Sequence, residues 1–187
     1  AKLYAHWITI SYRESYGIFA CNGILFNHES PLRGETFVTK KIIKGLCRIK
    51  EKKQKILYLG NIYSKRDWGH ARDFVKAQWK ILQYKKPDDY VIATGQQLRV
   101  KDFINLACKE LNMKIVWKGK GINEKAYDQE GRIIIKIDKN YFRPTEVNSL
   151  LGDYTKAKKI LNWKPETSIK QLIKEMIEVE IDDLKKI

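Results

Sequence analysis

Gly17-Ile18-Phe19-Ala20-Cys21-Asn22-Gly23-Ile24-Leu25-Phe26-Asn27 is the stretch on which the fold turns. Leading into it, Leu3, Trp7, Ile10 and, within it, Ile18 recur at helical spacing, and Gly17 can take the left-handed conformation that ends a helix. A helix from Lys2 stopped at Gly17 follows. The run from Ile18 to Phe26 is apolar throughout rather than on alternate residues, as in a strand buried on both faces of a parallel sheet. It gives way to the polar stretch Asn27 to Gly34, so a strand ending at Asn27 points a loop at a ligand site, as α/β sheets do.

The alternation continues downstream. Glu35 to Lys53 sets Phe37, Ile42, Ile43, Leu46 and Ile49 on one face with lysines opposite, an amphipathic surface helix. Ile56 to Leu59 is a brief strand. Asp67 opens a helix to about Gln83, Tyr90 to Thr94 is a strand, and Val100 to Leu111 is a helix with Asp102 near its start. Beyond Asn112 come strand-like runs at Ile115 to Lys118 and Arg132 to Asp138, separated by a polar, glycine-containing insertion. Helices at Thr155 to Leu161 and Ser168 to Leu184 close the chain. Strands and helices alternate, so the class is α/β. There is no internal repeat, low-complexity tract or long linker.

Composition narrows the function. The 187 residues are 43% hydrophobic and 11% aromatic, enough for one sizeable core. No apolar stretch nears the roughly 20 residues of a membrane-spanning helix, and the opening reads as folded helix rather than a signal peptide. That opening starts in mid-pattern without a cap, so a chain truncated at Ala1 is expected. Three cysteines, Cys21, Cys47 and Cys108, form no CxxC pair and have no histidine at metal-ligand spacing, which predicts a reducing, cytoplasmic setting and no metal.

The net charge of +15 comes from lysines spread over nearly every segment. The densest group is Lys40, Lys41, Lys44, Arg48, Lys50, Lys52, Lys53 and Lys55, opposed only by Glu51. Such a cluster suits a phosphate backbone with steep salt dependence. It lies on one face of an amphipathic helix, however, and reads first as a solvated face, so no nucleic-acid partner is expected.

Several blocks carry a resemblance. They are Tyr4-Ala5-His6-Trp7-Ile8-Thr9, Tyr12 to Gly17, Ala20 through Pro31, Arg33 to Thr39, Leu59-Gly60-Asn61, Arg66 to Ala71, Ile92 to Gly95, Tyr141 to Val147 and Leu150 to Asp153. Together they resemble the GDP-mannose 4,6-dehydratase family of extended short-chain dehydrogenases over nearly the whole chain. Phe26-Asn27-His28-Glu29-Ser30-Pro31 and Tyr141-Phe142-Arg143-Pro144 separate this family from other sugar-nucleotide dehydratases, epimerases and decarboxylases, the nearer alternative. The Arg-Asp-Trp block does not.

The resemblance implies the C-terminal part of a Rossmann-type extended short-chain dehydrogenase fold plus its smaller α/β substrate-binding domain. Residues 1–34 would be the last part of the NADP-binding domain, interleaved with later segments, and 35–187 mainly the sugar-nucleotide-binding domain. Lys2 matches the catalytic lysine that stands four residues after a tyrosine. Such spacing puts both on one helix face, and the ammonium lowers the phenol pKa and holds cofactor ribose hydroxyls. The tyrosine would stand three residues before Ala1.

His28 and Arg33 match positions that contact NADP, and Asn27 one that lies against the substrate. Lys41 and Gly60 fall on the substrate side, while Lys40 replaces what is usually an arginine. Arg66 and Arg143 would grip the diphosphate, because a planar fork pairs with phosphate oxygens bidentately, and Glu146 would accept ribose hydroxyl protons. Read without the family, Lys2 is a terminal lysine, His28-Glu29 a satisfied loop, Arg66-Asp67 an ion pair at a helix start, Arg143-Pro144 a strand end and Glu146 a first-turn glutamate. Tyr154 and Lys158 mimic the Tyr/Lys spacing, but no strand or nucleotide signature precedes them; they read as surface residues after a cap at Asp153.

The family reaction oxidises C4 of the mannosyl ring by hydride transfer to NADP, which acidifies the C5 proton. A glutamate removes that proton, water leaves from C6, and the hydride returns to C6. The product is GDP-4-keto-6-deoxymannose. The Gly-rich turn, the Thr or Ser, the glutamate and the tyrosine are not in this sequence, so the chain alone is expected to be silent. The family implies GDP-mannose as ligand and, at full length, a homo-dimer or tetramer whose contact includes the Lys2 to Gly17 helix.

Overall fold

In the computed structural model, which describes residues 1–142 and 145–186, the chain opens with α1 (Lys2–Tyr16), β1 (Gly23–Leu25), β2 (Asn27–Glu29) and α2 (Val38–Lys50). Then come β3 (Leu57–Leu59), β4 (Lys65–Arg66), β5 (Trp68–His70), α3 (Ala71–Leu82), β6 (Tyr90–Ile92), β7 (Leu98–Arg99) and α4 (Val100–Glu110). The last elements are β8 (Val116–Lys118), β9 (Lys125–Tyr127), β10 (Ile133–Ile137), α5 (Thr155–Leu161) and α6 (Ile169–Lys185). They form two compact units, each assembled from three stretches of chain.

The first unit comprises Ala1–His28, Asp67–Gln96 and Leu151–Ser168. Gly17 ends α1 in the left-handed region at φ 65°, and its N–H donates to the Arg13 carbonyl, as its lack of a Cβ allows. Strand β1 pairs in parallel with β6, Gly23 to Leu25 opposite Tyr90 to Ile92. Phe74, Ala77, Ile81, Tyr90, Ile92, Ala157, Leu161 and Trp163 form the core, with Cys21, Leu25, Phe26 and Tyr154 packed against it. Asp73 stitches this core to the chain after α5. Its carbonyl accepts from the Trp163 indole at 2.9 Å, and its carboxylate accepts from the Glu166 and Thr167 amides at 3.0 and 2.8 Å.

Three expectations fail here. The strand read as buried on both faces is shorter than expected and open: Ile18, Phe19 and Ile24 are more than 40% exposed, and β6 is its one partner strand among the described residues. Asp67 does not open a helix. It precedes β5, and α3 starts four residues later behind His70, whose Nδ1 accepts from the Arg72 amide. Tyr154 is also not a surface residue, since its ring packs edge-on against Trp163 at 5.8 Å, while Lys158 is exposed.

The second unit comprises Glu29–Arg66, Gln97–Leu150 and the chain from Ile169. Its sheet has the order β3-β10-β9-β8, parallel between β3 and β10 and antiparallel elsewhere. Helices α2, α4 and α6 pack on one another through Ile42, Ile43, Leu46, Phe103, Ile104, Leu172, Ile173 and Met176, all buried. Strand β9 was not expected, because Lys125-Ala126-Tyr127 lacks an apolar run. Glu124 anchors it, buried between the Tyr63 hydroxyl and the Lys101 ammonium.

Helix α2 is more enclosed than an amphipathic surface helix. Lys40, read as part of a basic face, turns inward to Glu180 of α6 at 2.8 Å, with both side chains less than 10% exposed. An apolar face accepts a lysine only where a carboxylate meets it.

Candidate functional site

In the first unit, Lys2 lies exposed in the opening turn of α1, and Asn27 and His28 begin β2, half-buried. The His28 Nδ1 sits 2.9 Å from the Phe26 carbonyl. A carbonyl oxygen can only accept, so Nδ1 carries a proton and Nε2 is the nitrogen turned to other partners. The ring packs 5.2 Å from Phe74, which fixes its plane. The Asn27 amide nitrogen donates to the Asp67 carbonyl at 3.2 Å.

In the second unit, Arg33 is braced before α2. Its Nε is 3.1 Å from the buried Glu29 carboxylate, and its guanidinium lies 3.6 Å from the centroid of the Phe37 ring. The Thr39 hydroxyl donates to the same Glu29 oxygen at 2.6 Å. Glu29, half of a pair read as a satisfied loop when taken alone, is thus what orients Arg33.

Lys41 and Gly60 come together at Tyr141. The Lys41 ammonium is 3.4 Å from the Tyr141 ring centroid. Burial pushes the Lys41 pKa below its ordinary value, and the charge of Asp138 offsets part of this. A Cβ on Gly60 would stand 2.3 Å from the Tyr141 carbonyl oxygen, so only glycine permits that approach of the two backbones. Tyr141 itself was missed as a partner of Lys41; it stood in the Tyr141-Phe142-Arg143-Pro144 block, where nothing local marked it as one.

Arg66 and Glu146 meet directly, Nη2 to Oε1 at 3.2 Å, while Nη1 donates to the carbonyls of Lys65 at 2.9 Å and Val147 at 2.6 Å. The side chains are 16% and 21% exposed. This aligns a guanidinium fork beside a carboxylate, two groups that can divide a nucleotide's phosphates and sugar hydroxyls between them. Arg143 lies outside the described residues. Among the described residues no group of three or more His, Cys, Asp or Glu is placed to hold a metal, and no helix is long and apolar enough to cross a membrane.

Solved structures fix the class. The Pseudomonas aeruginosa protein RMD, complexed with NADPH, has a TM-score of 0.79 at 21% identity, covering 97% of this chain and 55% of its own. The Bacillus anthracis dTDP-glucose 4,6-dehydratase in complex with NAD has a TM-score of 0.75 at 16% identity, covering 97% and 50%. The chain therefore shares the fold of these proteins, and it is α/β as the alternating pattern implied.

Sequence comparison takes the second step. The GDP-mannose 4,6 dehydratase family model matches residues 1–176, and the chain belongs to that family. The Dictyostelium discoideum GDP-mannose 4,6 dehydratase is 52% identical over 186 residues, covering 99% of this chain and 52% of the relative. The Homo sapiens counterpart is 47% identical over 183 residues, covering 97% and 49%. The chain spans about half the length of the curated relatives it matches.

Proposed function

We propose that this chain is the sugar-nucleotide-binding portion of a GDP-mannose 4,6-dehydratase, which converts GDP-mannose to GDP-4-keto-6-deoxymannose and water. The observation that carries the reading is the grouping within one unit of Arg66 against Glu146 and of Lys41 against Gly60 and Tyr141. In this reading Arg66 and Arg143 hold the diphosphate, Glu146 takes the ribose hydroxyls, Lys41 and Gly60 lie along the nucleotide sugar, and Asn27 meets the hexose. The lysine cluster in and after α2 gives little support to a nucleic-acid reading, because Lys40, Lys41, Lys44 and Lys53 are engaged by Glu180, Tyr141, Glu35 and the Leu184 carbonyl.

We assign residues 1–34, with the later segments of the first unit, to the cofactor side, and the remainder mainly to the nucleotide-sugar side. NADP is the proposed cofactor, and each donor taken by itself suits it: an exposed ammonium at Lys2, an imidazole at His28 whose Nδ1 faces the Phe26 carbonyl, and a guanidinium at Arg33 braced by Glu29. When bound it would supply a reversible hydride acceptor. Lys2 would hold ribose hydroxyls and favour a neighbouring tyrosinate, Arg33 would meet phosphate with its remaining N–H groups, and Asn27 would orient the ring. The 187 residues hold no Gly-rich turn, so the chain alone would bind without turning over. A cytoplasmic setting, and for the full-length protein a homo-dimer or tetramer free of membrane and nucleic acid, complete the proposal.

Isothermal titration of the chain tests it. GDP-mannose and GDP should bind, UDP-glucose should bind at least tenfold more weakly, and no NADP-dependent turnover should appear. Equal affinity for the GDP and UDP sugars, or no binding of either, would overturn the reading.

A further inference from the structure

We propose that Asp67 is a positioning residue whose buried carboxylate gathers separate loops of the first unit and thereby decides which end of the Asn27 amide is offered to a ligand. This rests on the reading of Asn27 as a sugar-facing residue.

Asp67 has no exposed surface. Its Oδ1 accepts from the Thr94 amide at 2.8 Å and the Thr94 hydroxyl at 2.6 Å. Its Oδ2 accepts from the Gly95 amide at 3.0 Å and the Gly152 amide at 3.2 Å. Two oxygens with about four lone-pair sites are thereby filled by four donors. Those donors lie in the turn after β6 and in the segment leading to α5, so one side chain holds chain regions far apart in sequence. The residues around it leave little room for adjustment. A Cβ on Gly152 would stand 2.2 Å from that of Ala93 and 3.0 Å from the Phe26 ring.

The same residue's backbone orients Asn27. Because the Asp67 carbonyl can only accept, the Asn27 atom 3.2 Å from it is the amide nitrogen, and the amide oxygen is left as the acceptor for another partner. A side chain held this way suits a hydroxyl that donates, which is what a hexose brings. Asparagine in place of Asp67 would put an NH₂ among backbone N–H donors, and the carbonyl that holds Asn27 would lose its anchor.

The test titrates the 187-residue chain with GDP-mannose and with GDP, for the wild type, Asp67→Asn and Thr94→Val. Asp67→Asn should weaken GDP-mannose about tenfold, the equivalent of one hydrogen bond, while GDP, which carries no hexose, changes less than twofold. Thr94→Val, which removes one donor, should shift in the same direction by less; it decides the matter if Asp67→Asn does not fold. Equal losses for both ligands, or none for either, would overturn the proposal in favour of a purely structural carboxylate. If the wild type binds neither ligand, the nucleotide-sugar reading itself falls. Asn27 side-chain amide exchange, followed by NMR without ligand, then decides the clamp: faster in the variant supports it, unchanged overturns it.

Discussion

Replacing Glu180 with leucine should strand the Lys40 ammonium between α2 and α6. The two charges are 2.8 Å apart, with side chains 9% and 6% exposed. Removing one partner of a pair so enclosed costs about 3–5 kcal/mol, because the surviving charge has neither water nor counterion. Replacing both by apolar groups of similar volume is often neutral or better. Glu180→Leu should therefore be destabilised by that amount and Lys40→Met/Glu180→Leu should recover most of it. With a urea slope of about 2–3 kcal/mol per molar, the single variant's midpoint falls by roughly 1–2.5 M. Equilibrium urea unfolding of the wild type, both singles and the double gives the coupling directly. A single variant within about 0.5 kcal/mol of wild type, the value of a surface pair, or a double as unstable as Glu180→Leu, would refute the reasoning.

Three further outcomes follow from the geometry. Gly60→Ala should lower stability by about 1–3 kcal/mol and weaken GDP-mannose, since its methyl meets the Tyr141 carbonyl at 2.3 Å; a melt and titration unchanged from wild type would contradict this. Arg66→Lys should weaken GDP-mannose roughly tenfold or more through loss of the planar fork, read by calorimetry; a twofold change or less would argue against phosphate contact. Burial pushes the Cys47 and Cys108 thiols up from 9.0 to about 12. At pH 8 iodoacetamide should label Cys21 while sparing both until the chain is unfolded, by mass spectrometry. Folded values above unfolded ones mean stability is intact below about pH 9 and is lost as pH rises towards 12, because the unfolded chain ionises first; a rise in stability over that range would contradict the burial.

Much of the helical framework was legible in the sequence. Gly17, Asp102 and the apolar periods of α4, α5 and α6 are local signals, and each element falls within a few residues of its expected place. What failed depends on distant neighbours. The Ile18 to Phe26 run reads as buried only if other elements cover both its faces, and Ile18, Phe19 and Ile24 stay more than 40% exposed. Asp67 looks like a cap because an aspartate before an apolar period usually is one; its donors come from Thr94, Gly95 and Gly152, which no local window contains. Lys40 looks solvated until Glu180 is placed against it. The candidate ligand residues were found through resemblance, whereas the groups that orient them, Glu29, Asp67 and Tyr141, emerge only from packing.

The two units are interleaved: the chain passes from one to the other after His28, Arg66, Gln96, Leu150 and Ser168. No single cut can release either unit as a continuous polypeptide, and a protease that nicks one crossing leaves four covalent ties in place. Recombination cannot exchange one unit as a cassette either, since three separate segments would have to move at once. A fold threaded in this way changes its ligand by substitution in place rather than by acquiring a ready-made half.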